Sequence, residues 1–186
     1  MTPKEFREHW LDGDNDTYYT YLAEDLIKFE LKPETVDFLS VSGLPSQAAP
    51  FLAFERKIEP LPYHYPHVDN SFNNYILIGG DGAGDPIVIN ISNNDQVEWL
   101  NHENDFSYSF CNTSIKHFVE FLLIFRSFIQ LLKTKGSNAF LSSEYSIEEY
   151  ETLKASLKNV DSRAVEEGFW KTELDMLLIN KDLKKS

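Results

Sequence analysis

Residues 75–91 read YILIGGDGAGDPIVINI, and this stretch decides the fold of the chain. It holds two short apolar segments, separated by a polar turn in which four of six residues are glycine. Ile87, Ile89 and Ile91 alternate with other residues, which is the period of a β-strand. A turn this short joins antiparallel strands, because parallel neighbours need a crossover of a dozen or more residues. The stretch therefore predicts a β-hairpin.

Further strands are predicted on both sides of this hairpin. Phe51–Phe54 is predicted as a strand before it, and Gln96–Leu100 and Phe106–Cys111 as strands after it. The segments after the hairpin are joined by short polar turns, so they are also expected to pair antiparallel. The sequence predicts a curved antiparallel sheet of about four to six strands.

Helical patterns flank these strands on both sides. Thr2-Pro3-Lys4-Glu5 is a capping box that predicts a helix start, and further N-terminal helices are expected at 19–29 and 34–41. Ser114 is expected to cap a long helix ending near Gly136, with a wide apolar stripe that should lie across the sheet. Two more helices are expected, one from Ser143 or Ser146 to about Lys158 and one from Gly168 to Ile179. The fold class is α+β in a single domain, 1–186, with a core of about 20–132 and a C-terminal helical extension of about 140–186.

Asp12, Asp14 and Asp16 are predicted to form a turn after the first helix. A calcium loop would need glycine at its sixth position and glutamate at its twelfth, where the chain has Thr17 and Ala23. Weak ion binding at this turn stays an open alternative.

The net charge is −13, and its distribution is uneven. No Lys or Arg occurs from Ile58 to Ile115, whereas residues 113–186 carry eleven basic and eleven acidic side chains. Eight acidic residues fall in the segment that lacks Lys and Arg: Glu59, Asp69, Asp81, Asp85, Asp95, Glu98, Glu103 and Asp105. Such a surface repels phosphate backbones and attracts basic proteins. It favours a protein partner over nucleic acid, although acidic surfaces also serve solubility alone.

The sequence predicts a cytoplasmic protein with no membrane association. The first ten residues contain no apolar signal core, and no apolar run approaches the length that spans a bilayer. Cys111 is the single cysteine, which excludes an internal disulfide, and we expect it to be a small buried apolar residue.

Several of these segments together resemble the SUKH superfamily, which includes bacterial immunity proteins and the fungal Smi/Knr-type proteins. The residues that carry the resemblance are Phe38-Leu39, Gly43-Leu44-Pro45, Ile78-Gly79, Asp81-Gly82, the run from Gly84 to Ile89, and Asn112-Thr113-Ser114. The resemblance covers roughly residues 20–132. It implies an α+β fold with a curved antiparallel sheet. For bacterial members it implies an immunity protein that binds the toxin domain of a polymorphic or contact-dependent toxin system, often a nuclease.

The leading hypothesis is therefore a non-enzymatic immunity protein that neutralises a basic toxin domain through an acidic, aromatic surface. The expected partner-binding residues are Tyr63, Tyr65, Asp81, Asp85, Glu98, Trp99, Glu103 and Asp105. Aromatic side chains next to prolines form stiff anchors, and carboxylates steer a cationic partner. A regulatory scaffold domain of the Smi/Knr type is the alternative. The oligomeric state is left open.

The hypotheses of an enzyme and of a cofactor-binding protein have weaker support from the residues than the immunity hypothesis has. The glycine turn lacks both the third glycine of a dinucleotide fingerprint and the Gly-Lys-Ser/Thr of a P-loop, so no cofactor is expected. His64 and His67, with Asp69 nearby, are the best candidates for a metal-dependent hydrolase, but a third ligand at proper spacing is missing. His102-Glu103 could form an acid–base pair, although adjacent residues in a turn rarely point at one atom. We assign no catalytic and no metal-binding residue.

Overall fold

A computed structural model describes residues 1–11 and 17–183 of the chain. Its helices are α1 (Pro3–Leu11), α2 (Ala23–Leu26), α3 (Pro33–Ser42), α4 (Ile115–Lys133), α5 (Ile147–Val160), α6 (Ser162–Glu166) and α7 (Gly168–Leu183). Its strands are β1 (Tyr18–Tyr19), β2 (Leu44–Pro45), β3 (Gln47–Ala48), β4 (Leu52–Pro60), β5 (Tyr75–Gly80), β6 (Pro86–Asn90), β7 (Gln96–Asn101) and β8 (Ser107–Asn112). The α+β prediction is confirmed. The turn expected at Asp12–Asp16 lies outside the described residues.

The main sheet has six strands in the order β3-β4-β5-β6-β7-β8. Every neighbouring pair is antiparallel, so the sheet is a meander, as the short turns predict. The register shifts between β4 and β5, between β5 and β6, and between β7 and β8. Shifts of this kind bend a strand and increase its twist, which is typical of a curved sheet. The small strands β1 and β2 form a separate antiparallel pair.

The helix starts follow from local side-chain chemistry. The Oγ1 of Thr2 accepts from the amide of Glu5 at 3.2 Å, and the Oε2 of Glu5 accepts from the amide of Thr2 at 2.7 Å. Ser114 caps α4, and Ser146, rather than Ser143, caps α5 in a full capping box. The helix expected at 19–29 starts too early, because Tyr19 belongs to β1 and α2 begins at Ala23. Its expected end is confirmed, since a short 3-10 helix continues α2 through Ile27–Phe29.

The main hydrophobic core lies between one face of the sheet and the helices. The stripe of α4 is buried as expected, and Phe118, Phe121 and Phe125 contact the ring of Trp170 on α7 at centroid distances of 6.0, 5.3 and 5.1 Å. Tyr150 of α5 is 1 % exposed and belongs to the same core. The C-terminal helices are therefore packed into the core of the sheet, not attached beside it.

The opposite face of the sheet is covered by a second, smaller core. Segment 61–74 folds back over this face and buries Leu61 against Leu77 and Val88 of the sheet. Phe106, which follows β7, completes the cluster, and Tyr65 packs against its edge. The central strands β5 and β6 are thus buried on both faces, which explains why their successive residues are mostly apolar.

A buried polar network joins the end of β8 to the C-terminal helices. Asn112 accepts from the indole Nε1 of Trp170 at 2.7 Å, and Asp161 accepts from the amide of Thr113 at 2.9 Å. Gly168 sets the start of α7 with a φ of +76°. A Cβ at this position would lie 2.0 Å from the carbonyl oxygen of Phe110, so only glycine lets the chain approach β8 this closely.

Candidate functional site

One end of the main sheet brings together residues that are far apart in the sequence. In an antiparallel meander every second turn lies at the same end of the sheet. The turns 49–51, 81–85 and 102–106 therefore lie at one end, because β4 begins, β5 ends, β6 begins, β7 ends and β8 begins there. We call turns 81–85 and 102–106 together the acidic turn end. It contains Asp81, Asp85, Glu103 and Asp105, four of the residues predicted from the sequence.

Asp81 organises the glycine turn through both carboxylate oxygens. Its Oδ1 accepts from the amides of Ala83 at 2.9 Å and Asp85 at 3.0 Å. Its Oδ2 accepts from the indole Nε1 of Trp99 at 2.8 Å. Gly84 has a φ of +91°, a backbone conformation that closes the turn and that favours glycine. Asp81 itself stays half-exposed, so its carboxylate is available at the surface.

Asp85 links the two turns and is a structural residue. Its Oδ1 accepts from the backbone amide of His102 at 2.8 Å and lies 2.7 Å from His102 Nδ1. Asp85 is 7 % exposed, so the expectation that it is a surface contact is wrong. The physical reason is that the next turn along the sheet folds over it and supplies hydrogen-bond donors to its carboxylate. It contributes negative charge to the acidic turn end although only 10 % of its side chain is exposed.

Glu103 and Asp105 are the exposed carboxylates of the second turn. Asp105 and Phe106 both have positive φ, at +49° and +55°. This conformation turns the chain so that Phe106 enters the second core while Asp105 faces solvent. Both acidic residues therefore lie where a partner can reach them.

Trp99 lies half-buried between the glycine turn and α7, where its ring is 6.4 Å from that of Phe169. One helical turn beyond Phe169 stands Glu173, which is half-buried and lies within the electrostatic range of Asp81. Burial, and secondarily the charge of Asp81, raises the pKa of Glu173 from 4.5 to about 6. Glu173 was missed by sequence reasoning, because the sequence shows a helix here but not which strand turn the helix approaches.

Glu98 is not part of the acidic turn end, and its predicted surface position is wrong. It is 1 % exposed in the middle of β7, and its Oε1 accepts from Asn90 Nδ2 at 3.0 Å and from Gln96 Nε2. It points to the opposite face of the sheet from Trp99, because neighbouring residues of a strand alternate in direction. A one-residue ambiguity in strand register moves a side chain between these two faces.

Tyr63 and Tyr65, in the segment between β4 and β5, have different environments. Tyr63 is 75 % exposed, whereas Tyr65 is half-buried with its ring 5.1 Å from that of Phe106. The hydroxyl of Tyr65 donates to the carbonyl oxygen of Gly84 at 3.0 Å, so Tyr65 supports the glycine turn. Burial raises the pKa of Tyr65, with a further contribution from the charge of Asp85. Tyr63 is therefore exposed as a partner-binding anchor should be, whereas Tyr65 packs under the glycine turn and supports it.

The candidate metal ligands have separate contacts. His64 Nε2 lies 3.7 Å from a carboxylate oxygen of Glu59, and the ring of His67 packs 5.9 Å from that of Phe106. Asp69 accepts from the amide of Ser71 at 2.7 Å and caps a short helical turn. Within residues 1–11 and 17–183, no three His, Cys, Asp or Glu side chains are grouped so that they could hold a metal ion.

Two further observations concern reactivity and membranes. Cys111 is fully buried, and burial raises the pKa of its thiol, which disfavours the reactive thiolate. In the described part of the chain, no helix combines the length and the apolar character that crossing a bilayer requires.

The fold is that of an α+β domain with a six-stranded meander sheet and a polar turn region at one end. The profile of the family described as SUKH-4 immunity protein matches residues 15–176. This match covers most of the chain, and the chain belongs to that family. It extends past the region of about 20–132 that carries the resemblance in sequence, and includes α5, α6 and most of α7. Comparisons with curated proteins and with solved structures gave no match.

Proposed function

We propose that this chain is an immunity protein that binds a protein toxin and neutralises it without catalysis of its own. The observation that carries the proposal is membership of the SUKH-4 immunity protein family. An immunity role requires a protein partner and no substrate chemistry, so a binding surface is the functional unit. No cofactor is needed for this role, and the cytoplasm is the compartment we propose for it.

The acidic turn end is the surface we propose for toxin binding. Asp81, Glu103 and Asp105 present carboxylates there, and Asp85 adds its charge from just below the surface. A nuclease that binds phosphate backbones needs a basic cleft, and such a cleft is complementary to this surface. Charges of opposite sign accelerate the encounter of two proteins, and they also select against partners of the same sign. We therefore propose that the partner is a basic toxin domain, such as that of a nuclease.

A growth-rescue assay tests the immunity role. Candidate toxin domains from the genes that neighbour this one are expressed in a host cell with and without this protein, and a complex is then isolated by pull-down from purified components. Rescue together with a stable complex is the expected result. A chain that leaves toxicity unchanged and does not bind the toxin domain contradicts the proposal, and binding to a housekeeping protein instead would favour a regulatory scaffold.

The acidic surface is tested separately by a change of charge. Glu103→Lys combined with Asp105→Asn changes the charge of the acidic turn end by three units and keeps a residue that tolerates positive φ at position 105. We expect association with the toxin domain to slow by about tenfold at low ionic strength, and by less at high salt. The matched control is Glu151→Lys combined with Glu148→Gln on α5, which makes the same charge change on another surface. Equal association rates for the two variants would show that steering does not depend on the acidic turn end.

A further inference from the structure

A small cavity lies where the C-terminal end of α1 meets β3 and α4, and its volume is about 190 Å³. Five polar side chains contribute to its wall: Trp10 of α1, Gln47 of β3, and Arg126, Gln130 and Lys133 of α4. They carry two positive charges and many N–H donors, whereas their only acceptors are the amide oxygens of the two glutamines. Within residues 1–11 and 17–183, no Asp or Glu lines this cavity. It is therefore a basic, donor-rich site in a chain whose net charge is −13.

The indole N–H of Trp10 is a buried donor without an acceptor in the described part of the chain. Trp10 is 2 % exposed, and its Nε1 has no hydrogen-bond partner. The other two indoles of the chain both donate, that of Trp99 to Asp81 and that of Trp170 to Asn112. Buried polar groups in native proteins nearly always have a partner, so an orphan donor in the wall of a cavity needs an explanation. A ligand that accepts a hydrogen bond from Trp10 would provide it.

Arg126 and Lys133 place two positive charges on the same wall of the cavity. They are seven residues apart on α4, which is about two helical turns, so they lie on one side of the helix. The guanidinium carbon of Arg126 lies 4.5 Å from the centroid of the Trp10 ring. Lys133 is exposed, and in the described part of the chain no ion pair joins it to an acidic side chain. An anion at this point would contact both cations next to the indole of Trp10.

We infer that this cavity binds a carboxylate of the protein partner, whose oxygens accept from Arg126, Lys133 and the indole N–H of Trp10. A planar guanidinium binds a carboxylate through paired hydrogen bonds, and such charged bonds are stronger than neutral ones. The apolar part of the wall, which includes Ala48 and Ile129, suits the methylene groups that precede a side-chain carboxylate. The chemistry of the ligand rests on the cavity itself, and the identity of the partner as a toxin domain rests on the proposed function.

The cavity lies beside the acidic turn end. Residues 47–49 belong to its wall and also to the wall of the groove that reaches Asp81 and Gly82 of the glycine turn. A partner that presents basic side chains to the acidic turn end and a carboxylate to this cavity is therefore matched by charges of both signs. Such a pattern fixes the orientation of the partner, and it disfavours a partner whose surface is basic throughout.

The first experiment tests the cavity without any toxin. N-acetylglycine, which carries one carboxylate, is titrated into the protein at constant ionic strength while the indole N–H resonance of Trp10 is followed by NMR. N-acetylglycine should shift this resonance with saturation, and its neutral analogue N-acetylglycinamide should not. An unchanged Trp10 resonance, or equal shifts from both ligands, would overturn the inference. Tighter binding of inorganic phosphate than of N-acetylglycine would overturn the assignment of a carboxylate.

Two lysine variants make the titration specific to the cavity. In Lys133→Gln the affinity for N-acetylglycine should fall about fivefold, which is the effect of losing one exposed ion pair. Lys116→Gln is the matched control, because Lys116 is exposed on the first turn of the same helix and does not line the cavity. Equal affinities of the two variants would place the bound carboxylate elsewhere and refute the inference.

The second experiment measures affinity for the toxin domain that the wild-type protein binds. Lys133→Gln makes the protein more acidic, so long-range attraction to a basic toxin would strengthen the complex. A carboxylate in the cavity predicts the opposite sign, a complex weakened about fivefold, whereas Lys116→Gln should not weaken it. Unchanged or higher affinity in Lys133→Gln would refute the partner's carboxylate as the occupant while leaving the immunity role intact. If the wild-type protein itself fails to bind the toxin domain, the immunity role fails, and the titration with N-acetylglycine decides on the cavity alone.

Discussion

Glu173 is a carboxylate whose position lowers the stability of the folded protein at neutral pH. Its pKa is raised from 4.5 to about 6, first by burial on α7 and then by the charge of Asp81. Ionisation of Glu173 is thus less favourable in the folded state than in the unfolded chain. Replacing it with glutamine keeps the shape of the side chain and removes the charge. We therefore expect Glu173→Gln to stabilise the protein.

The size of the effect follows from the shift. A change of about 1.5 pKa units corresponds to about 2 kcal/mol, since each unit is worth ~1.36 kcal/mol. The side chain is only half-buried, and screening by solvent reduces this value to about 1 kcal/mol. For a chain of this length, 1 kcal/mol raises the melting temperature by roughly 2–4 °C.

The pH dependence has a definite sign. A carboxylate with a raised folded pKa binds more protons in the folded state than in the unfolded state between pH 4.5 and about pH 6. The wild-type protein therefore has the full stability of the neutral form below pH 4.5 and loses it as the pH rises through about 6. The advantage of Glu173→Gln should be largest above that pH and should fall toward zero near pH 4.5.

Thermal unfolding followed by circular dichroism across this pH range measures the effect. Glu151→Gln is the matched control, because it removes the same charge from an exposed position on α5 and should change stability by less than about 0.5 kcal/mol. A gain that is independent of pH, or one that the control shares, would refute the assignment of the effect to the site of Glu173.

Two substitutions test the packing of the C-terminal helices. Gly168→Ala should destabilise the protein by at least about 3 kcal/mol in denaturant unfolding, because the new Cβ would lie 2.0 Å from the carbonyl oxygen of Phe110, whereas Gly136→Ala, which meets open space, should be near neutral. Equal stability of the two glycine variants would contradict the described approach of α7 to β8. Asp161→Ala should cost about 1–3 kcal/mol, because it leaves the partly buried amide of Thr113 and the buried Nδ2 of Asn112 without their shared acceptor. The exposed Asn159→Ala is the control, and a loss no greater than that of the control would show that the network does not hold the helices.

Much of the fold was predictable because its signals are local. The alternation of Ile87, Ile89 and Ile91 and the glycines between Gly79 and Gly84 predict the central hairpin without reference to any other segment. The caps at Thr2, Ser114 and Ser146 predict helix starts, since a cap involves residues only three apart. The strands β1, β2 and β3 were missed because each has only two residues, which is too short to show an alternation of apolar and polar side chains.

The chain composition by itself determined that the sheet region is acidic and that its turns carry carboxylates. Only the tertiary structure decided which of these carboxylates reach solvent. Asp81, Asp85 and Glu98 look equivalent in the sequence, yet the first is half-exposed, the second joins two turns, and the third is buried on the other face of the sheet. The reason is that exposure depends on strand register and on which segments pack above a strand, and neither is encoded within a few residues.

The same distinction applies to Glu173. Local periodicity determined that it belongs to a helix. Long-range packing of α7 against β8, which combines many weak contacts from distant segments, decided that Glu173 is half-buried and lies within the electrostatic range of Asp81.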